Sequence, residues 1–182
     1  MEIRLAADLQ SDSIVDGDGI RTVIWTQGCP HNCMGCHNPM THSFTDGDLV
    51  DINLVYERID DLKFQDGITF SGGDPMCQAE ACYQIGKYAK DKGLNIWCYT
   101  GYTYEQLLEL GKKKQSILDF LSIIDVLVDG KFMKEFKSLD CMYRGSTNQR
   151  LIDVKKSLSS GVVCLYENNN FVKLTRNKYL YV

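Results

Sequence analysis

Little in this sequence points towards a membrane, a nucleic acid or a bound nucleotide. No apolar run approaches the ~18–20 residues of a membrane-spanning helix. The N-terminal MEIRLAADLQSD carries acids and lacks the apolar stretch of a secretion signal. The expectation is therefore a cytoplasmic protein. Lys and Arg number 20 against 24 Asp and Glu, a net charge of -4, so there is no basic footprint for nucleic acid. Neither of the usual phosphate-cradling glycine loops, G-x-x-x-x-G-K-[ST] or G-x-G-x-x-G, occurs. Proline is scarce: Pro30, Pro39 and Pro75 are the three, and each adjoins a motif discussed below. With no repeat and no Pro/Gly/Ser-rich linker, the 182 residues read as one domain over 1–182 with one core.

Cysteine, by contrast, is abundant, with eight residues. Without a secretion signal a disulfide scaffold is disfavoured, and clustered cysteines in a reducing compartment bind metal or do redox chemistry. Three cluster in CPHNCMGC, at C-x3-C-x2-C spacing: Cys29, Cys33 and Cys36. Cys77, Cys82, Cys98, Cys141 and Cys164 are scattered and read mostly as small buried hydrophobes.

The apolar periodicity alternates between two values. IRTVIWTQG (20–28), GITFSGGDP (67–75), LNIWCYTG (94–101) and IIDVLVDG (123–130) are β-branched runs ending in glycine or a turn, and read as strands. Between them, 49–63 places Leu49, Ile52, Val55, Tyr56, Ile59 and Leu62 on one helical face. Further helices are expected over 76–92, 104–113 and 116–121, with Gly93 just past the end of the first of these. RLIDV (150–154), GVVCLYE (161–167) and NFVKLT (170–175) read as strands, the last two joined by a hairpin, and IRLAAD (3–8) as an N-terminal edge strand. This β/α alternation implies parallel strands. A closed eightfold barrel needs ~200 residues or more. An open, partial (β/α) barrel of about five to six parallel strands is therefore expected.

In such folds ligands gather at the carboxyl ends of the strands. CPHNCMGC, SGGDP, YTGY and DGK all follow strands there. Three thiolates can hold three irons of a cubane cluster and leave the fourth open. The alternatives are a Cys3His zinc site completed by His31 or His37, or a non-catalytic cluster completed by Cys77. Gly35 lets the loop turn back on itself. SGGDP reads either as a strand-to-helix turn or as backbone that approaches a ligand. Asp129 and Lys131 read either as a solvated pair or as a rim cation with its neighbour.

Together these segments resemble those of the radical S-adenosylmethionine enzymes, in the branch that activates glycyl radical enzymes. CPHNCMGC with CHNP, VDGDGIR (15–21), FSGGDP (70–75), YTGYTYEQL (99–107), VLVDGKF (126–132) and YRGSTNQRLIDV (143–154) look most like the activating proteins of anaerobic ribonucleotide reductase. The resemblance spans about residues 13–154. It implies a [4Fe-4S] cluster on Cys29, Cys33 and Cys36, with S-adenosyl-L-methionine on the open iron. One electron from an external donor then cleaves the cofactor, and the radical formed takes a hydrogen atom from a glycine of the anaerobic ribonucleoside-triphosphate reductase. Other glycyl-radical activases, or a small-molecule radical enzyme on a similarly reduced barrel, would share the chemistry. The resemblance implies Gly72, Gly73 and Asp74 around the methionine amino group, with Thr100, Asp129, Lys131 and Asn38 as further cofactor contacts. Tyr99 departs from the acidic residue found there in related activases. Trp25 and Met34 are expected to shield the cluster. Tyr143, Arg144, Asn148, Gln149 and Arg150 are expected near the open side, contacting the reductase or bracing the cofactor rim.

Overall fold

The computed structural model describes residues 1–167. The expected strand over 170–175 and its hairpin lie outside the described residues. Eight strands form one sheet: β1 (Glu2–Leu5), β2 (Gln10–Ser13), β3 (Arg21–Thr26), β4 (Asp48–Asp51), β5 (Gly67–Gly72), β6 (Asn95–Tyr99), β7 (Val126–Asp129) and β8 (Arg150–Asp153). The order is β4-β1-β3-β5-β6-β7-β8, with β2 also on β3. The helices are α1 (Ile52–Asp60), α2 (Ala79–Asp91), α3 (Tyr104–Gly111), α4 (Gln115–Ile123) and α5 (Val154–Ser160).

The centre of the sheet is parallel. Thr26 pairs with Gly72, Phe70 with Cys98 and Tyr99 with Val128, so four carboxyl ends lie along one edge. Four parallel strands are fewer than the five or six expected, because both flanks run the other way. β8 pairs antiparallel with β7, and β1, β2 and β4 enter antiparallel on the far side. β1 is also not an edge strand, since β4 lies outside it.

Other differences are local. Leu49 belongs to β4, not to the helix, because Asp51 accepts a hydrogen bond from Asn53 N and starts α1 there. GVVCLYE forms no strand, only one bridge between Leu165 and Ile152. α5 was not expected. Asp153 caps it by accepting from Lys156 N, and Gly161 in the left-handed region ends it.

One sheet face, with Ile24, Ile68, Phe70, Ile96 and Leu127, packs under α1, α2 and α4. The other presents Trp97, Val126 and Val128 to Tyr143, Leu151 and Tyr166. At the amino edge of this second face Arg21 is fully buried. Its guanidinium donates to Thr69 Oγ1 (2.6 Å), Asn95 Oδ1 (2.7 Å) and the carbonyls of Asp18 (2.9 Å) and Ile68 (2.7 Å). It also lies 5.3 Å from the Trp97 ring centroid. A Cβ on Gly17 would fall 2.7 Å from the Arg21 side chain, which explains that glycine. VDGDGIR thus closes the amino end of the sheet, opposite the cysteines. No helix among the described residues is long and apolar enough to cross a membrane.

Candidate iron–sulfur site

The cysteine loop leaves the end of β3 and returns to it. Gly28 N donates to Thr41 O at 2.9 Å and Cys29 N to His42 O at 3.1 Å. Between these closures Asn32 and Gly35 take positive φ values of 48° and 76°, which fold the three thiols inward. Each sulfur is partly buried and reduced. Burial pushes the Cys29 thiol up to about 11, and the nearby Cys33 and Cys36 thiols add to this, so the three lie within electrostatic reach of one another. The backbone N–H of His31 works the other way on Cys29. Burial also raises Cys33, against the backbone N–H of Phe132 and the charge of Lys131. Asn38 N donates to Cys36 Sγ at 3.4 Å. Asn38 N thus supplies a donor to the Cys36 sulfur, and nearby backbone N–H groups, with Lys131, favour the Cys29 and Cys33 thiolates.

The donors suit a cluster better than a single ion. Among the described residues no three His, Cys, Asp or Glu side chains are arranged to hold one metal ion. A zinc ion would draw every donor to ~2.0–2.3 Å of one point. His31 Nε2 is engaged by Asp74 Oδ2 at 2.6 Å, which leaves only Nδ1 for a metal. His37 is exposed and stacks at 5.2 Å on Phe132. Three soft thiolates, each free to take its own iron, fit a multi-iron cluster.

Gly72 and Gly73 are needed, but for the chain itself. A Cβ at Gly72 would lie 2.6 Å from Thr26 O, and one at Gly73 2.4 Å from Gly28 O. Gly73 N donates to Thr26 O (2.7 Å) and Asp74 N to Gly28 O (2.8 Å). The close approach thus clamps the SGGDP loop to the root of the cysteine loop.

Three residues expected at the cofactor hold protein groups in this structure. The Asp74 carboxylate is 1% exposed. It accepts from Met76 N (3.0 Å), Thr100 Oγ1 (2.9 Å), Gly101 N (3.1 Å) and His31 Nε2 (2.6 Å). Thr100 is spent in the same contact and accepts in turn from Tyr102 N at 3.2 Å. Asp129, also 1% exposed, accepts from Tyr104 N (2.8 Å) and from Arg150 Nε (3.0 Å). Arg150 also donates to Glu105 on α3 at 2.8 Å, so it locks β7, α3 and β8 together rather than facing an opening.

Lys131, in contrast, is exposed. It sits close enough to Cys33 to favour its thiolate, and its carbonyl accepts from Asn148 Nδ2 at 2.8 Å. Gln149 Nε2 donates to Gly130 O at 3.0 Å. The 148–150 segment thus braces the DGK loop. Tyr143 and Arg144 instead line a cavity of about 520 Å³ with Ile14, Val15 and Leu139. Met34 is 78% exposed, whereas Trp25 is half-buried on β3. The sequence offered His31 as a fourth zinc ligand, not as the partner of Asp74. The signal was its place inside the cysteine motif, two residues after Cys29.

Comparison with known proteins agrees with this geometry. The family model of the 4Fe-4S single cluster domain matches residues 15–152. The chain is 36% identical over 146 residues to the anaerobic ribonucleoside-triphosphate reductase-activating protein of Haemophilus influenzae, covering 75% of this chain and 89% of that protein. It is 38% identical over 144 residues to the protein of that name from Vibrio cholerae, with the same coverage. Against its counterpart from Enterobacteria phage T4 the figure is 34% over 143 residues, covering 75% of this chain and 86% of that one. The chain belongs to the family of anaerobic ribonucleoside-triphosphate reductase-activating proteins, and its residues 15–152 to the 4Fe-4S single cluster domains.

Proposed function

We propose that the protein is an activase that uses a [4Fe-4S] cluster and S-adenosyl-L-methionine to place a glycyl radical on the anaerobic ribonucleoside-triphosphate reductase. The observation that supports this most is the loop of three thiols at the carboxyl edge of four parallel strands. When bound, cluster and cofactor supply a one-electron cleavage that yields a carbon radical able to take a hydrogen atom from glycine. The protein's own part is to bind, orient and exclude side reactions. Cys29, Cys33 and Cys36 hold the iron. Lys131 on the DGK loop and Asn38 on the cysteine loop are the side chains proposed to meet the cofactor. Gly72 and Gly73 keep the SGGDP backbone against the cysteine loop, and Thr100 and Asp129 set the adjoining turns.

On this reading the sheet is an open partial barrel and residues 1–182 are one domain. Its second face, with the 520 Å³ cavity beside Tyr99 and Tyr143, admits a protein loop that a closed barrel would exclude. The partners are the reductase and an external one-electron donor in the cytoplasm, and nucleic acid has no role. The test is anaerobic incubation of reconstituted protein, reductant, S-adenosyl-L-methionine and the reductase. A glycyl radical signal with release of 5′-deoxyadenosine is expected. Cofactor cleavage without a radical on the reductase would point to another glycyl radical enzyme as partner.

A further inference from the structure

We propose that His31 is a positioning residue of the cysteine loop and that Asp74 acts on the site through it, not as a direct ligand of the cofactor. The inference rests on the cluster reading above. Residues 30 to 35 link Cys29 to Cys33 and continue to Gly35. Pro30, Asn32, Met34 and Gly35 all face solvent. His31 is the inward-facing non-cysteine side chain of this arm, with its side chain 6% exposed. Its ring is fixed on three sides. Nε2 meets Asp74 Oδ2 at 2.6 Å. Tyr102 contacts it edge-on at 4.5 Å and 74°. The third side is the backbone of Gly101, where a Cβ would fall 2.3 Å from His31 Cδ2.

Asp74 can only accept, so Nε2 carries the proton in this contact. An ionised carboxylate has about four acceptor positions. Oδ2 accepts from His31 Nε2 and Gly101 N, Oδ1 accepts from Met76 N, and the Thr100 hydroxyl lies 2.9 and 3.0 Å from the two oxygens. Protein donors thus engage both oxygens, Oδ2 more fully than Oδ1. These four donors come from the loops after β3, β5 and β6. A buried contact therefore ties the carboxylate to the imidazole of a residue that lies two positions from both Cys29 and Cys33. Asp74 also sits at the root of the cysteine loop, where its backbone N–H donates to Gly28 O at 2.8 Å. With His31 removed, its charge would be less compensated beside the cluster, and the cluster would be harder to reduce.

The experiment compares His31→Ala, His31→Gln, Asp74→Asn and the double variant His31→Ala/Asp74→Asn, all reconstituted anaerobically. Cluster reduction potential and the paramagnetic signature are read without cofactor, and S-adenosyl-L-methionine affinity is read by titration. His31→Ala is expected to lower the equilibrium for cluster reduction about tenfold, about 59 mV for one electron. His31→Gln, which keeps an N–H donor, should restore most of it. In the Asp74→Asn background the His31→Ala shift should largely vanish, because the charge it uncovers is gone. An unchanged potential and signature in His31→Ala overturns the proposal. So does an equal His31→Ala shift with and without Asp74→Asn. A third overturning result is a loss of cofactor affinity in Asp74→Asn that is the same whether or not His31 is replaced, since Asp74 would then touch the cofactor directly. If His31→Ala takes up no iron, the decision falls to His31→Gln against Asp74→Asn, which should keep and lose the wild-type potential respectively. Failure of the wild-type protein to respond to S-adenosyl-L-methionine would be a failure of the proposed function, which the cofactor-free readouts keep separate.

Discussion

Replacing Arg150 with Met should be among the costly single changes outside the hydrophobic core. Arg150 gives Asp129 two charge-assisted hydrogen bonds, through Nε at 3.0 Å and through a terminal nitrogen. Asp129 is 1% exposed, whereas the Arg150 side chain is 34% exposed. Hydrogen bonds to charged groups contribute ~1.5–3 kcal/mol each. Breaking a buried pair by removing one partner costs ~3–5 kcal/mol. Water reaches Arg150, and Asp129 keeps Tyr104 N, so the low end applies: about 3 kcal/mol. For a chain of this size that lowers the melting temperature by ~6–12 °C. Asp129→Asn/Arg150→Met removes the stranded charge and should recover at least ~1.5 kcal/mol relative to Arg150→Met alone. The assay is anaerobic urea denaturation of the reconstituted protein, followed by circular dichroism. A cost below ~1 kcal/mol for Arg150→Met, or strictly additive effects in the double variant, would refute the view that Asp129 is held by Arg150.

Gly73→Ala should lower both stability and iron content, because its Cβ would meet the Gly28 backbone at 2.4 Å and push the cysteine loop off β3; iron and sulfide analysis checks this. Phe70→Ala empties a fully buried site facing Phe120 and should cost ~3–5 kcal/mol by denaturation, without changing the cluster's spectrum in the protein that remains folded. Arg150 holds the Glu105 carboxyl down at about 2. A depressed carboxyl stabilises the fold above its unfolded value of ~4.3 and loses that contribution as pH falls towards 2. The stability gap between wild type and Glu105→Gln should therefore be full above about pH 5 and close between about pH 4.5 and 2; because Glu105 is largely exposed, the gap is small. Cys36→Ser should abolish the brown colour and all cofactor cleavage, while chelation of iron from the wild type should give the same colourless protein.

The parallel centre and the cysteine loop were legible because their signals are local. Each strand is a β-branched run closed by glycine, and C-x3-C-x2-C is contiguous in the chain. The flanks were not. QSDS in β2 and DLVD in β4 carry no apolar alternation, and they become strands only because β3 and β1 offer them partners. Leu49 continued the helical spacing by coincidence, and the cap at Asp51 decided the boundary. For the site, residue types were readable and lone pairs were not. Asp74 and Asp129 stand where a cofactor ligand is expected. Whether their oxygens are free depends on His31, Thr100, Gly101, Arg150 and Tyr104, up to 43 residues away in the chain. In the structure the two aspartates order the loops around the cysteines.

The most direct test of the central claim is electron paramagnetic resonance on anaerobically reconstituted, reduced protein, with and without S-adenosyl-L-methionine. A reduced [4Fe-4S] signal that changes when the cofactor is added is predicted, with its amplitude lost in Cys29→Ala, Cys33→Ala and Cys36→Ala. A signal indifferent to the cofactor, or a colourless protein that holds zinc, would contradict the account.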